Sequence, residues 1–354
     1  MSLLESGKIN YIVSTSARGR EPAKDSVKIR RKASSLGIAC LTSIDTANAL
    51  ADILMSRYSE INTELVDLNN MRHSKTKLEF TKMQGCGNDY IYIDCFEREV
   101  NSPESLAVFL SDRHYGVGGD GIILIEKSKV ADAKMRIFNL DGSEGTMCGN
   151  GIRCVGKYLY DSRNLKKKAM TIETKSGIKQ LKLVTKNDKV MRVSVNMGKA
   201  ELAPANIPVL LDGENVINRK VNIGGNDYKI TCVNMGNPHC VVFRDDVDGL
   251  DLSKVGPLFE SDPMFPERVN TEFVSVVDRR TIKMRVWERG SGETLACGTG
   301  ACAAAVAATL NGFCEKGEDI RVMLAGGDLT INYPDERVTM TGSAEKVFEG
   351  SVEF

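Results

Sequence analysis

From Lys77 onward, apolar residues come in short β-rich runs separated by Gly-rich turns. Tyr90 to Cys95, Gly121 to Glu126 and Met135 to Asn139 are examples, and together they predict the strands of a mixed α/β domain. Two segments break this pattern and open helices after nearly the same signal, MCGNGIRCVGKYLYD at 147–161 and ACGTGACAAAVAATLNG at 296–312. The shared frame is C-G-[NT]-G. One copy lies in each half of the region, which predicts two similar lobes facing each other across a cleft. Upstream the pattern differs: a strand at Lys8–Val13, a helix at Lys24–Ser35, a strand at Ile38–Leu41 and a helix at Asp45–Tyr58. That βαβα fragment is small for a core of its own.

Charge narrows the classes of partner. Lys+Arg and Asp+Glu are both 47 in 354 residues, so no overall excess argues for nucleic acid or a membrane surface. The local exception is Arg18 to Lys32, with seven basic residues against two acidic ones. No apolar run approaches the roughly 18 residues of a membrane span, and MSLLESGKIN lacks a signal-peptide layout, so a cytoplasmic protein is expected. Ten cysteines scattered through such a chain are expected to be thiols. Their spacings are not those of a structural zinc site, and only His73, His114 and His239 could add imidazoles, so no metal is expected.

Cys148 and Cys297 carry the candidate chemistry. Each immediately precedes glycines and the first turn of a predicted helix, where unpaired N–H groups and the helix dipole favour negative charge. That placement is expected to lower the thiol pKa and to cradle a carboxylate or a developing enolate. A single such cysteine is usually a small buried hydrophobe; two in matching frames point to function. Cys154, Cys302 and Cys314 are expected in the core.

Further polar segments are QGCGNDY at 84–90, GVGGDG at 116–121, FNLDGSEGTMCGNG at 138–151, NMGNPHCVVF at 234–243, RVNTEF at 268–273 and WERGSGETLACGTG at 287–300. In this order, from about Leu78 to Phe354, they closely resemble the diaminopimelate epimerase family. The resemblance implies an α/β (α+β) fold of two pseudo-symmetric lobes, each a curved mixed sheet around a central helix. The first lobe would span 78–195 and recover the final strand at 343–354, and the second would span 196–342, with 1–77 a separate partial segment. It implies cofactor-independent epimerisation of LL-2,6-diaminopimelate to the meso isomer by a homodimer, with Cys148 and Cys297 as the base and acid pair. Asn88, Asn139, Asn237, Asn270, Glu288 and Arg289 resemble the residues that hold the two ends of the substrate. Gly149, Asn150, Gly298 and Thr299 resemble the helix-start donors to the reacting carboxylate. His239 and Glu288 resemble the partners that tune the thiols.

Two positions depart from the family pattern. Gly121 stands where some members carry a glutamine that contacts substrate, and Cys86 stands where a larger apolar residue is usual, a change expected to affect packing alone. Residues 10–54 resemble another protein, the C-terminal end of the carbamoyl-phosphate synthase large subunit within its methylglyoxal-synthase-like domain. Only the last half of that domain is represented, with Ser14, Thr15 and Ser16 in its phosphate-binding turn. A two-thiol racemase acting on proline or hydroxyproline is the alternative within the same class. A non-enzymatic effector-binding module is the alternative suggested by the N-terminal segment.

Overall fold

The computed structural model describes residues 4–14, 25–41, 43–55, 77–335 and 337–353. The chain divides into two units, Met1–Lys75 and Thr76–Phe354. In the first, strands Tyr11–Val13 and Ala39–Leu41 pair in parallel, with Tyr11 opposite Ala39. Parallel strands need a crossover, which helix Asp25–Ser35 supplies, and helix Ile44–Met55 completes the expected βαβα order. Thr15, Ser16 and the end of the second expected helix fall outside the described residues.

The second unit is an α+β fold built on one continuous ladder of strands. Its first half runs from Lys77–Gly85 through Asn88–Cys95, Gly121–Glu126, Ala133–Asn139, Ala169–Thr174 and Gly177–Lys186 to Lys189–Lys199. The second half repeats these pairings in kind, from Asn226–Asn234 through Pro238–Phe243, Asn270–Asp278, Thr281–Glu288, Asp319–Leu324 and Gly327–Asn332 to Arg337–Gly342. In both halves the second junction and the fourth are parallel and the others antiparallel. The halves meet where Lys189–Lys199 pairs antiparallel with Arg337–Gly342. The last strand, Glu345–Glu353, returns to pair with Lys77–Gly85, just as Arg219–Ile223 pairs with Asn226–Asn234 in the other half.

Each half packs around one helix. Gly149–Asp161 lies against strands of the first half and Gly298–Leu310 against strands of the second. The second helix is alanine-rich and buried on every side from Gly300 to Ala308, as a helix wrapped by sheet must be. Cys154, Cys302 and Cys314 sit in the main core, as expected. Among the described residues no helix is long and apolar enough to cross a membrane.

Candidate active site

The two cysteine frames become two helix caps that meet. Cys148 and Cys297 are the N-caps of Gly149–Asp161 and Gly298–Leu310, both with extended backbone, φ −129° and −111°. Each sulfur accepts a hydrogen bond from the backbone N–H three residues on, Gly151 at 3.3 Å and Gly300 at 3.4 Å. This is the capping geometry of a short polar side chain, here made by sulfur. The helix starts touch: a Cβ built on Gly298 would lie 3.6 Å from Gly149 Cα and 3.2 Å from Met340 Sδ. On Gly149 it would lie 2.9 Å from Met340 Cε. Asn150 Nδ2 crosses from one frame to the other, donating to the Ala296 carbonyl at 3.3 Å.

Electrostatically the frames differ from each other and from the sequence expectation. Burial pushes both thiols above the usual cysteine range and outweighs the helix-start N–H groups that were expected to pull them down. At Cys148 the opposing influences are the Gly151 and Asn150 N–H groups and the Arg153 guanidinium. At Cys297 burial is reinforced by the Glu288 carboxylate, so that thiol is driven up well above its ordinary value. The Glu288 carboxylate pushes both thiols in the same direction.

Around Cys148, the Asn88 carboxamide is fixed at both ends. Its Nδ2 donates to Asp120 Oδ2 at 2.7 Å, leaving Oδ1 to accept from the Cys148 thiol at 3.3 Å. Asp120 is held in turn by Arg113 at 3.0 Å, and Arg113 also pairs with Asp89, which binds the buried Lys82. A Cβ on Gly121 would fall 2.1 Å from the Phe138 carbonyl oxygen and 2.8 Å from Tyr90 Cε1, so the fold at this position excludes a side chain. Tyr90, one pleat from Asn88 on the same face, fills that space. Burial pushes its phenol up from the ordinary tyrosine range, so it stays neutral.

Around Cys297, Thr299 Oγ1 lies 3.5 Å from the sulfur. His239 is completely buried with both ring nitrogens engaged, Nδ1 with Glu272 Oε1 at 2.7 Å and Nε2 with Asn237 Oδ1 at 2.9 Å. It therefore reaches the thiols only through those partners. The remaining residues of the expected set are bonded to other protein groups. Asn139 Nδ2 donates to Ser143 Oγ at 3.0 Å. Asn270 Nδ2 donates to the Pro238 carbonyl at 2.9 Å while its Oδ1 accepts from Arg289 N at 3.0 Å. Arg289 Nη1 reaches the Glu267 carbonyl at 2.8 Å, and Thr294 Oγ1 donates to Glu288.

Two wholly buried charged residues were not singled out by the sequence. Arg153 is wholly buried and touches Asn150 Oδ1 at 3.0 Å, the Ser343 carbonyl at 3.0 Å and Cys86 Sγ at 3.6 Å. Cys86, with φ 56°, is thus a partner of a buried cation as well as a packing residue, a correction to the expectation above. Glu272 is also wholly buried. A signal existed for each: Arg153 is a charge on the apolar face of its helix, and Glu272 interrupts a strand otherwise free of charge from Asn270 to Val277.

A ladder is repeated in two halves, with a cysteine at the start of each half's helix and the two starts in contact, and the family of the sequence makes the chain an epimerase. The sequence profile of diaminopimelate epimerase matches residues 80–203 and 231–347, and the chain belongs to that family. A diaminopimelate epimerase of Acetivibrio thermocellus is 53% identical over 279 residues, covering 78% of this chain and 99% of that protein. One from Methanococcus maripaludis is 50% identical over 279 residues, covering 78% and 100%. Among solved structures, a PhzF-family phenazine biosynthesis protein of Bacillus anthracis shares the fold with a TM-score of 0.57 at 17% identity, over 78% of this chain and 99% of that one. A hydroxyproline epimerase of Agrobacterium vitis does so with a TM-score of 0.57 at 13% identity, over 79% and 93%. The family profile leaves residues 1–75 uncovered.

Proposed function

We infer that the protein interconverts LL-2,6-diaminopimelate and its meso isomer in lysine biosynthesis, with Cys148 and Cys297 working from opposite faces of one α-carbon. The observation that carries this reading is the contact between the two cysteine-capped helix starts. An α-proton is only weakly acidic, so removing it requires stabilisation of the carbanion that is left. On this reading one cysteine, as thiolate, takes the proton, and the electron pair delocalises into the α-carboxylate. The N–H groups at Gly149, Asn150, Gly298 and Thr299 hold that carboxylate, and two helix dipoles act on it in a site with little water. The opposite thiol then protonates the other face, so the cysteines exchange one proton and the product leaves inverted. No cofactor enters the scheme. The reverse reaction uses the same residues with their roles exchanged.

The asparagines, Glu288 and Arg289 are assigned to the two amino-acid ends of the substrate. A second charged end distinguishes this substrate from proline, and Arg289, exposed beside the frame, is suited to it. Lobes at 78–195 with 343–354 and at 196–342, a homodimer and a cytoplasmic location belong to the same reading and rest on the family resemblance.

The test is proton NMR of LL-diaminopimelate in deuterated water with reduced enzyme and no added cofactor, with proline in parallel. Loss of the α-proton signal and appearance of the meso isomer with diaminopimelate alone is the expected result. Exchange with proline alone would replace the substrate assignment.

For residues 10–54 we propose a remnant of a methylglyoxal-synthase-like domain that no longer binds a nucleotide. The parallel βαβα order agrees with part of such a domain. Uridine and inosine monophosphates are expected to leave both Tm and activity unchanged. A rise in Tm with either would restore an effector role.

A further inference from the structure

Glu272 presents an electrostatic problem. It is fully buried in strand Asn270–Asp278. Its Oε1 meets His239 Nδ1 at 2.7 Å, while among the described residues its Oε2 has no hydrogen-bond partner. No lysine or arginine pairs with it among the described residues; the charged groups acting on it are His239 and the Glu288 carboxylate. An ionised carboxylate with one oxygen unpartnered in such a place is very costly. The carbonyl oxygen of a carboxylic acid in the same place costs far less. Burial pushes the Glu272 carboxyl up; His239 opposes it, Glu288 adds to it, and the net direction is upward.

The remaining bonds follow from that protonation state. An acid proton on Oε1 is donated to Nδ1, so the ring must carry its own proton on Nε2. Nε2–H then donates to Asn237 Oδ1, the contact found at 2.9 Å. With its oxygen taken, Asn237 has its amide NH2 left to offer, a donor group. The site is built closely around this carboxyl: a Cβ on Gly300, inside the first turn of the Cys297 helix, would strike Glu272 Oε1 at 2.6 Å.

We propose that Glu272 is a positioning residue that works as a neutral acid, setting the Nε2–H form of His239 and through it turning the Asn237 NH2 toward a substrate carboxylate. The relay ends on Asn237, so its effect on turnover rests on the epimerase reading; the state of the ring does not.

Two measurements test it, both on the full chain. The chain has only three histidines, so nitrogen-15 NMR of the imidazoles is tractable, and a His239→Gln variant assigns the resonance. At neutral pH His239 should be a neutral ring protonated on Nε2; an imidazolium, or a ring protonated on Nδ1, would overturn the proposal. In kinetics, Glu272→Gln supplies an amide N–H in place of the acid O–H. It should stay within about threefold of wild type in kcat/KM, whereas Glu272→Leu should lose at least about tenfold, chiefly through KM. Gln failing as badly as Leu, or Leu matching wild type, would also overturn it. If Glu272→Leu does not fold, the spectrum and the Gln variant decide. If the wild-type chain itself does not turn over diaminopimelate, the substrate reading has failed and the spectrum alone decides the relay.

Discussion

Cys297→Ala and Cys148→Ala are each expected to lower epimerisation by at least about 10³-fold while leaving the fold intact, since a positioned acid or base is worth about 10²–10⁴ and inversion needs both. A small side chain in place of either thiol leaves little unsatisfied: each sulfur accepts one N–H at 3.3–3.4 Å at a helix start beside the cleft. The distinctive result lies in isotope exchange. In deuterated water, each single variant should still exchange the α-proton of the one stereoisomer whose hydrogen faces the surviving thiol, with retention, and should leave the other isomer untouched. The two variants should show opposite preferences. A single variant that still inverts the centre would rule out the two-thiol scheme. Circular dichroism of the same samples separates loss of chemistry from loss of fold.

Arg153→Met should act on stability and on pH dependence together. Removing the guanidinium orphans the Ser343 carbonyl and Asn150 Oδ1, two acceptors in a buried place, at a cost of about 3 kcal/mol, and denaturant titration should show the midpoint fall. It also removes the cation that lowers the Cys148 thiol, leaving burial less opposed. A cation favours the thiolate, so its loss raises the pKa, and the acid-side limb of kcat/KM should move to higher pH. Arg153→Lys keeps the charge without the fork. It should lose stability but shift the limb less. A wild-type pH profile in Arg153→Met would confine the residue to a structural role.

Gly149 and Gly298 connect this chemistry to the fold. Each was legible as the glycine of a C-G-[NT]-G frame, and the frame alone implies close backbone approach to a ligand. What the glycine approaches first is the other frame's glycine and Met340, a partner no local pattern could identify. Gly121 is the converse case. From the sequence it is a missing side chain; in the structure the Phe138 carbonyl and the Tyr90 ring occupy the place where one would begin.

The sequence by itself determined the strands whose apolar pattern is strong, such as Gly121–Glu126, the two helices and their cysteine caps, and through the ordered motifs the family. These are local properties, set by periodicity, turn residues and capping, and a few adjacent residues carry each of them. Tertiary structure alone decided the protonation balance and the bonding of the site. The helix-start N–H groups at Cys148 and Cys297 are local and were foreseen; burial, which outweighs them, comes from packing with core residues distant in sequence. Arg153 meeting Cys86 and Ser343, and Glu272 meeting His239, are likewise pairings across long separations. A charge's energy depends on everything packed around it, whereas a helix cap depends on three or four residues in a row.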